Sequence, residues 1–396
     1  MAELNETPRG NRIHIAFFGL RNAGKSTLVN AFTGQQIAIV SDVPGTTTDP
    51  VSKAMEILPL GPCLVTDTAG LDDEGELGEM RVKKTLDVLA TTDIAVWVWG
   101  EGSQNANLRE SGESARMFLD ECRKRGVVVI EYRRDEAVEE LKRKIAAVKL
   151  GERMPGLLDG LVEKGDRVLC VVPIDESAPK GRLILPQQQV IRECLNRHVI
   201  CTVCQVDGLG CLESLGGLES FSLVITDSQA FGEVNRLFQT FQTSKPSKHP
   251  KLTSFSILFA RQKGDLDEYV KGMRAIRELK DGDTVLVAEG CTHHRQCNDI
   301  GTVQIPKALE KISGKKLKFE FASGGGFMDV DADGVRALPE LIVHCGGCML
   351  TRREMLRRIA IAKEAGVPIV NYGLVLAQAS GIDIENLMFA ELTANN

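Results

Sequence analysis

A chain of 396 residues is long enough for two or three domains, so its two ends are read separately. Apolar residues make up 43% of it, and 48 lysines and arginines against 54 aspartates and glutamates leave a net charge of -6, which argues against a broad nucleic-acid-binding surface. The N-terminus lacks the pattern of a signal peptide and no stretch is apolar for long enough to span a bilayer, so a cytoplasmic protein away from membranes is expected, in which 11 cysteines serve burial or metal ligation rather than disulfides.

Along the first part, strand-like and helix-like stretches alternate: 13–18, 26–32, 63–66, 80–90, 94–99 and 127–131. That order predicts the α/β class, a parallel sheet covered by helices. A charge-rich helical stretch at 135–149 precedes a Gly/Asp-rich boundary at 156–166. A second α/β block follows, with strands at 168–172, 198–206 and 222–226 and a helix at 187–197. Polar residues and two prolines at 242–251 predict the next boundary. The last part again mixes strands (284–288, 341–343) with a helix (355–365). The expected domains are therefore 1–164, 165–250 and 251–396.

Gly19-Leu20-Arg21-Asn22-Ala23-Gly24-Lys25-Ser26 fits G-x-x-x-x-G-K-[ST], with a strand before it and a helix after it. Glycines let backbone N–H groups converge on phosphate at the helix N-terminus. The candidate nucleotide-binding residues are Gly19, Asn22, Ala23, Gly24, Lys25, Ser26 and Thr27, with Lys25 bridging β- and γ-phosphates and Ser26 holding Mg²⁺. After the next apolar strand comes Asp67-Thr68-Ala69-Gly70: Asp67 can reach the Mg²⁺ shell and the Gly70 N–H can sense the γ-phosphate. Between them, 44–49 (PGTTTD) offers Thr47 and Thr48 as hydroxyls for Mg²⁺. In this order the three features predict a nucleotide-hydrolysing switch domain. The guanine-reading N-K-x-D is absent; after the strand 127–131 the expected place reads Tyr132-Arg133-Arg134-Asp135 and keeps only Asp135.

The loop with Asn22 and GTTTD resembles GTPases of the TrmE and Era type. That resemblance implies GTP as substrate, a K⁺ held through Asn22, and a water-positioning glutamate near Glu79. GTP over ATP rests on the resemblance alone.

Near the other end the chain reads Cys291-Thr292-His293-His294 and later His344-Cys345-Gly346-Gly347-Cys348. Two cysteines separated by two residues can turn their thiolates toward one metal, and a distant Cys-x-His completes a set of three or four ligands. The residues leave zinc and a [4Fe–4S] cluster open. By contrast, Cys201-Thr202-Val203-Cys204 lies in an apolar run and reads as buried, as do Cys63, Cys122, Cys170 and Cys194.

CTHH and HCGGCM, with the phrases SAPKGRLILPQ, ITDSQAF, LTSFSILFARQKGDL and VPIVNYG, resemble the HydF family of [FeFe]-hydrogenase maturation GTPases over nearly the whole chain. The resemblance implies a [4Fe–4S] cluster on Cys291, Cys345 and Cys348, with His293 or His344 as the candidate for the remaining iron. It implies a carrier that holds a di-iron precursor of the H-cluster, takes it from radical-SAM maturation partners and delivers it to apo-[FeFe]-hydrogenase. It also implies dimerisation, or higher assembly, through about 165–250. The rival reading is a TrmE-like RNA-modification GTPase with a structural zinc.

Overall fold

The computed structural model describes residues 7–34, 51–71, 85–100, 108, 112–150, 154–173, 183–244, 250–290, 299–324, 327–328 and 338–382. The chain separates into two units, Met1–Arg153 and Met154–Asn396.

In the first unit, β1 (Ile13–Phe18), β3 (Gly61–Asp67), β4 (Ile94–Val98) and β5 (Val128–Tyr132) are parallel, and the sheet order is β2-β3-β1-β4-β5. The central strands are apolar at nearly every position because both faces are covered. Alternation sends Phe17 to one face, where it meets Phe32 at 5.5 Å, and Phe18 to the other, where it meets Phe118 at 5.1 Å. Helix α1 (Lys25–Thr33) supplies Phe32, and α2 (Glu113–Lys124) buries Ala115, Phe118 and Cys122. Burying a phenylalanine of this kind contributes roughly 1.5–3 kcal/mol. Leu141 and Ile145, one turn apart on α3 (Val138–Ala146), close the first face.

One strand departs from the sequence reading. β2 (Val51–Ile57) pairs antiparallel with β3 at the sheet edge, so the sheet is parallel except there. Its sequence, VSKAMEI, keeps polar residues at the rim, which an edge strand tolerates and a periodicity search overlooks.

The second unit holds two parallel sheets. The first contains β6 (Arg167–Val171), β7 (Ile200–Cys204), β8 (Leu223–Thr226) and β9 (Lys251–Ser254), in the order β7-β6-β8-β9. Its last strand therefore lies just past the polar stretch 242–251. Helices α4 (Leu185–Asn196) and α5 (Phe231–Ser244) belong to its crossovers. The second sheet runs β11 (Lys318–Ser323), β10 (Thr284–Glu289), β12 (Leu341–His344), β13 (Ile369–Asn371).

Between the sheets lies α6 (Phe255–Lys263), capped by Ser254 Oγ, which accepts from the Ile257 N–H. Phe255, Leu258 and Phe259 enter the core of the first sheet, while Ile257 and Ala260 enter that of the second. A helix apolar on all sides is a buried helix. Helix α7 (Leu266–Ala275) follows, then α8 (Ile305–Ser313), α9 (Arg352–Glu364) and α10 (Tyr372–Ala379). Among the described residues no helix is long and apolar enough to cross a membrane.

Candidate nucleotide site and candidate metal centre

Phe17 lies opposite Asp67 in the parallel pair of β1 and β3, so both strands deliver their carboxyl ends to the same edge of the sheet. Beyond β1 the loop turns through Asn22 (φ +59°) and Gly24 (φ +88°) and enters α1 at Lys25. Gly19 passes so close to the Val98 carbonyl oxygen that a Cβ would sit 2.6 Å from it, which requires glycine there. Lys25 is buried, and its Nζ donates to Leu20 O (2.8 Å) and Gly19 O (3.3 Å), holding the ammonium over the loop.

Ser26 Oγ donates to Asp67 Oδ2 at 2.6 Å, and Asp67 is fully buried. Its other oxygen, Oδ1, has no hydrogen-bond partner among the described residues. Burial pushes the Asp67 carboxyl above its usual range, against the Ser26 hydroxyl, the Lys25 charge and the Thr68 N–H. A buried carboxylate oxygen without a donor, next to a serine hydroxyl, suits a hard divalent cation. Gly70 is buried in the same segment, which the Leu71 N–H ties to Gly19 O at 3.3 Å. Thr27 is exposed on the first turn of α1, and Ala23 is buried in the loop. Thr47, Thr48 and Glu79 lie outside the described residues.

At the position expected for a base-reading motif, after β5, stand two arginines followed by two acids, Arg133-Arg134-Asp135-Glu136. The Arg133 guanidinium stacks 5.5 Å from the Trp99 ring, and Trp99 Nε1 donates to Glu131 at 2.9 Å. The Arg134 guanidinium reaches the loop itself, its Nη2 3.0 Å from where a Gly24 Cβ would stand. Asp135 is exposed in the turn beside it. The two arginines read in sequence as a lost motif; the approach of Arg134 to the loop is visible only in three dimensions.

In the second unit, β12 ends at His344 and the chain turns through Cys345-Gly346-Gly347-Cys348 before Thr351 caps α9 by accepting from the Glu354 N–H. Gly347 takes φ +64°. Gly346 packs on the start of α6, where a Cβ would stand 3.2 Å from Ser256 Oγ. Cys345 Sγ accepts the Gly290 N–H at 3.2 Å, and Gly290 is the residue bonded to Cys291. Burial raises the Cys348 thiol pKa, and the Lys263 charge opposes that rise. Lys263 Nζ donates to Gly347 O, Cys348 O and Leu350 O at 3.2, 3.0 and 2.7 Å, and burial lowers its pKa to about 8. Nothing in the sequence singles this lysine out, since it follows Arg261 and Gln262 at the polar end of the helix.

His344 is fully buried and both ring nitrogens are engaged. Nδ1 lies 2.8 Å from Cys345 O, which can only accept, so Nδ1 carries the proton. Nε2 then accepts from Arg358 Nη1 at 2.9 Å. Burial and the Arg358 charge push its pKa down to about 4, so the ring is neutral. Arg358 in turn bonds Glu354 at 2.8 Å and lies over Phe327. In this arrangement both ring nitrogens of His344 are taken up within the protein. Cys291 and His293 lie outside the described residues, and among the described ones no group of three or more potential ligands stands together.

The cysteines read as buried are so: Cys63, Cys122, Cys170 and Cys194 are at most 1% exposed. Cys201 and Cys204 are only half-buried, and the Cys201 sulfur lies 3.7 Å from that of Cys170.

Comparison with known proteins divides the chain in three. Residues 14–132 match the model of a 50S ribosome-binding GTPase, 157–264 that of the hydrogen maturase F dimerization domain, and 267–387 that of the hydrogen maturase F tetramerization domain. GTPase Der of Xylella fastidiosa (strain M23) is 38% identical over 149 residues, which is 36% of this chain and 32% of that protein. The tRNA modification GTPase MnmE of Endomicrobium trichonymphae is 37% identical over 94 residues, 23% of this chain and 20% of that protein. The chain therefore spans about a third or less of the length of these curated relatives. A crystal structure of an Aquifex aeolicus Era variant bound to GDP·AlF4⁻ aligns at TM-score 0.25 and 16% identity, covering 79% of this chain and 94% of that one.

Proposed function

We propose, for a chain that belongs to the hydrogen maturase F family and carries a P-loop GTPase domain at its N-terminal end, a carrier role in [FeFe]-hydrogenase maturation. In this reading residues 1–164 bind and hydrolyse GTP, 165–250 dimerise and 251–396 hold a [4Fe–4S] cluster. The di-iron precursor of the H-cluster is cargo, received from radical-SAM partners and passed to apo-hydrogenase.

At the nucleotide site, Lys25 neutralises charge on the β- and γ-phosphates, while Ser26 and Asp67 take Mg²⁺. Thr47 and Thr48 complete the Mg²⁺ shell, Gly70 senses the γ-phosphate and Glu79 positions water. Asn22 holds K⁺ beside the phosphates. Asp135 and the nearby arginines face the base in place of the missing motif.

The observation that carries the metal reading is the meeting of Gly290 with Cys345. The N–H of the residue bonded to Cys291 bonds the sulfur of the Cys-x-x-Cys turn, so chain connectivity supports Cys291, Cys345 and Cys348 as one ligand set. Bound there, the cluster would supply one-electron chemistry and one iron whose fourth ligand is exchangeable. His344 acts as a positioning residue for Cys345, and His293 is left as the candidate histidine. Exposed Ile200 and Val203 on the edge strand β7 suit a second copy of the chain.

Anaerobic iron and sulfide analysis with absorption and EPR spectroscopy, on wild type and on Cys291→Ser, Cys345→Ser and Cys348→Ser, tests the reading. A brown protein with four irons, lost in each variant, supports it. Colourless zinc-loaded protein that binds tRNA in a salt-sensitive manner favours the RNA-modification reading instead, although the likeness to MnmE of Endomicrobium trichonymphae covers only 23% of this chain.

A further inference from the structure

Two buried cations flank the Cys-x-x-Cys turn, and they differ in how their charge is met. Arg358 is balanced by Glu354, whose carboxylate it binds at 2.8 Å. Lys263 is 0% exposed and its three N–H donors are all used on the carbonyls of Gly347, Cys348 and Leu350, so its hydrogen bonding is complete. Its charge is not neutralised in the same way. Among the described residues no carboxylate pairs with it, and the ionisable groups placed to act on its charge, once deprotonated, are the Cys345 and Cys348 thiols of the turn it binds. The Phe259 ring lies on another side, 5.3 Å from Nζ.

An ammonium taken out of water without a counter-ion is costly, and buried charges persist where they are paired or bind metal sites. Helix geometry explains part of the placement. Lys263 is the last residue of α6, whose C-terminal dipole end favours a cation. That partial charge does not account for a full ammonium aimed at the backbone of a cysteine turn. Thiolates gathered on a metal would.

We propose that Lys263 is the built-in counter-charge of the metal-bound thiolates: its three carbonyl bonds fix the Cys345–Cys348 turn for ligation, and its charge raises the reduction potential of the cluster held there. The inference rests on the cluster reading above and adds to it a residue that touches no metal. A fixed positive charge stabilises the more negative, reduced state. Its loss makes the cluster harder to reduce.

The test uses the full chain, wild type, Lys263→Met (neither charge nor donors) and Lys263→Gln (donors without charge), reconstituted anaerobically with iron and sulfide. Iron and sulfide content comes first, and a cooperative urea unfolding transition followed by far-UV circular dichroism serves as the control for folding of the unit that holds Lys263. An EPR-monitored redox titration follows. In the Gln variant the ratio of reduced to oxidised cluster at a fixed potential should drop at least tenfold, a shift of about 59 mV for one electron. Zinc affinity of the metal-free protein, read by competition with a chromophoric chelator, should fall at least tenfold in the Met variant and less in the Gln variant. A Gln variant with full cluster content and an unchanged midpoint overturns the charge role; unchanged zinc affinity in a folded Met variant overturns the turn-fixing role. Wild-type protein that takes up no cluster sinks the underlying reading instead, and the zinc comparison still decides the turn-fixing role.

Discussion

Ser26 Oγ gives its proton to Asp67 Oδ2 at 2.6 Å across 41 residues of sequence, because parallel β1 and β3 end side by side. In the proposed reading both oxygens would take Mg²⁺, so each should be needed for metal-dependent affinity while neither holds the fold. Ser26→Ala and Asp67→Asn should each weaken Mg²⁺-dependent GTP binding by at least about tenfold. Isothermal titration with and without Mg²⁺ reads the effect, and thermal unfolding of both variants should stay near wild type.

Acid should loosen the N-terminal unit through His14. Its ring is buried, and desolvation lowers its pKa below 6.5, partly opposed by the Arg9 carbonyl and by Asp93. The unfolded chain then binds the extra proton at a higher pH than the folded one. Stability is fully present above about pH 6.5 and is lost as pH falls from there toward the lowered value. Urea titrations followed by tryptophan fluorescence should show a lower midpoint at about pH 5.5 than at about pH 7.5, and His14→Gln should flatten the difference. Both tryptophans lie in this unit, so the signal reports on it.

Arg358 should be the costliest side chain to remove around the Cys-x-x-Cys turn. It joins Glu354, His344 and the Gly324 carbonyl while 2% exposed. Arg358→Leu leaves the Glu354 carboxylate with Arg357 alone and strips His344 of its donor, which should cost about 3–5 kcal/mol in chemical denaturation. Removing Glu354 as well should restore part of that loss. Lysine should rescue poorly, since it lacks the planar fork.

Two glycines of the second unit should separate packing from backbone strain. A Cβ on Gly272 of α7 would fall within the Ile369 carbonyl of β13, and neither backbone can yield cheaply. Gly272→Ala should therefore destabilise by about 2–3 kcal/mol or more. Gly282 has φ +90° and open space around it, so Gly282→Ala should cost only about 1–2 kcal/mol. Denaturant midpoints in the metal-free protein give the comparison.

Local chemistry was readable from sequence wherever it is encoded by neighbours. The loop 19–26, the Asp67–Gly70 segment and the Cys-x-x-Cys turn each stand where strand and helix patterns predicted, at carboxyl ends of parallel strands. β2 and β9 were missed because edge positions relax the apolar pattern that reveals central strands. His344 has surroundings that its neighbours in sequence do not announce. A histidine beside a cysteine motif reads as a ligand, yet Arg358, fourteen residues on, occupies its remaining lone pair. Lys263 was hidden for the converse reason: lysine at a helix end reads as solvated, yet here its ammonium is buried against the carbonyls of Gly347, Cys348 and Leu350.

The carrier role is tested most directly by delivery. Protein isolated anaerobically from cells that also make the radical-SAM partners, then mixed with purified apo-[FeFe]-hydrogenase, should switch on hydrogen evolution in proportion to the amount added. Cys345→Ser protein prepared in the same way should not. Hydrogen evolution of equal extent from both preparations would contradict the account.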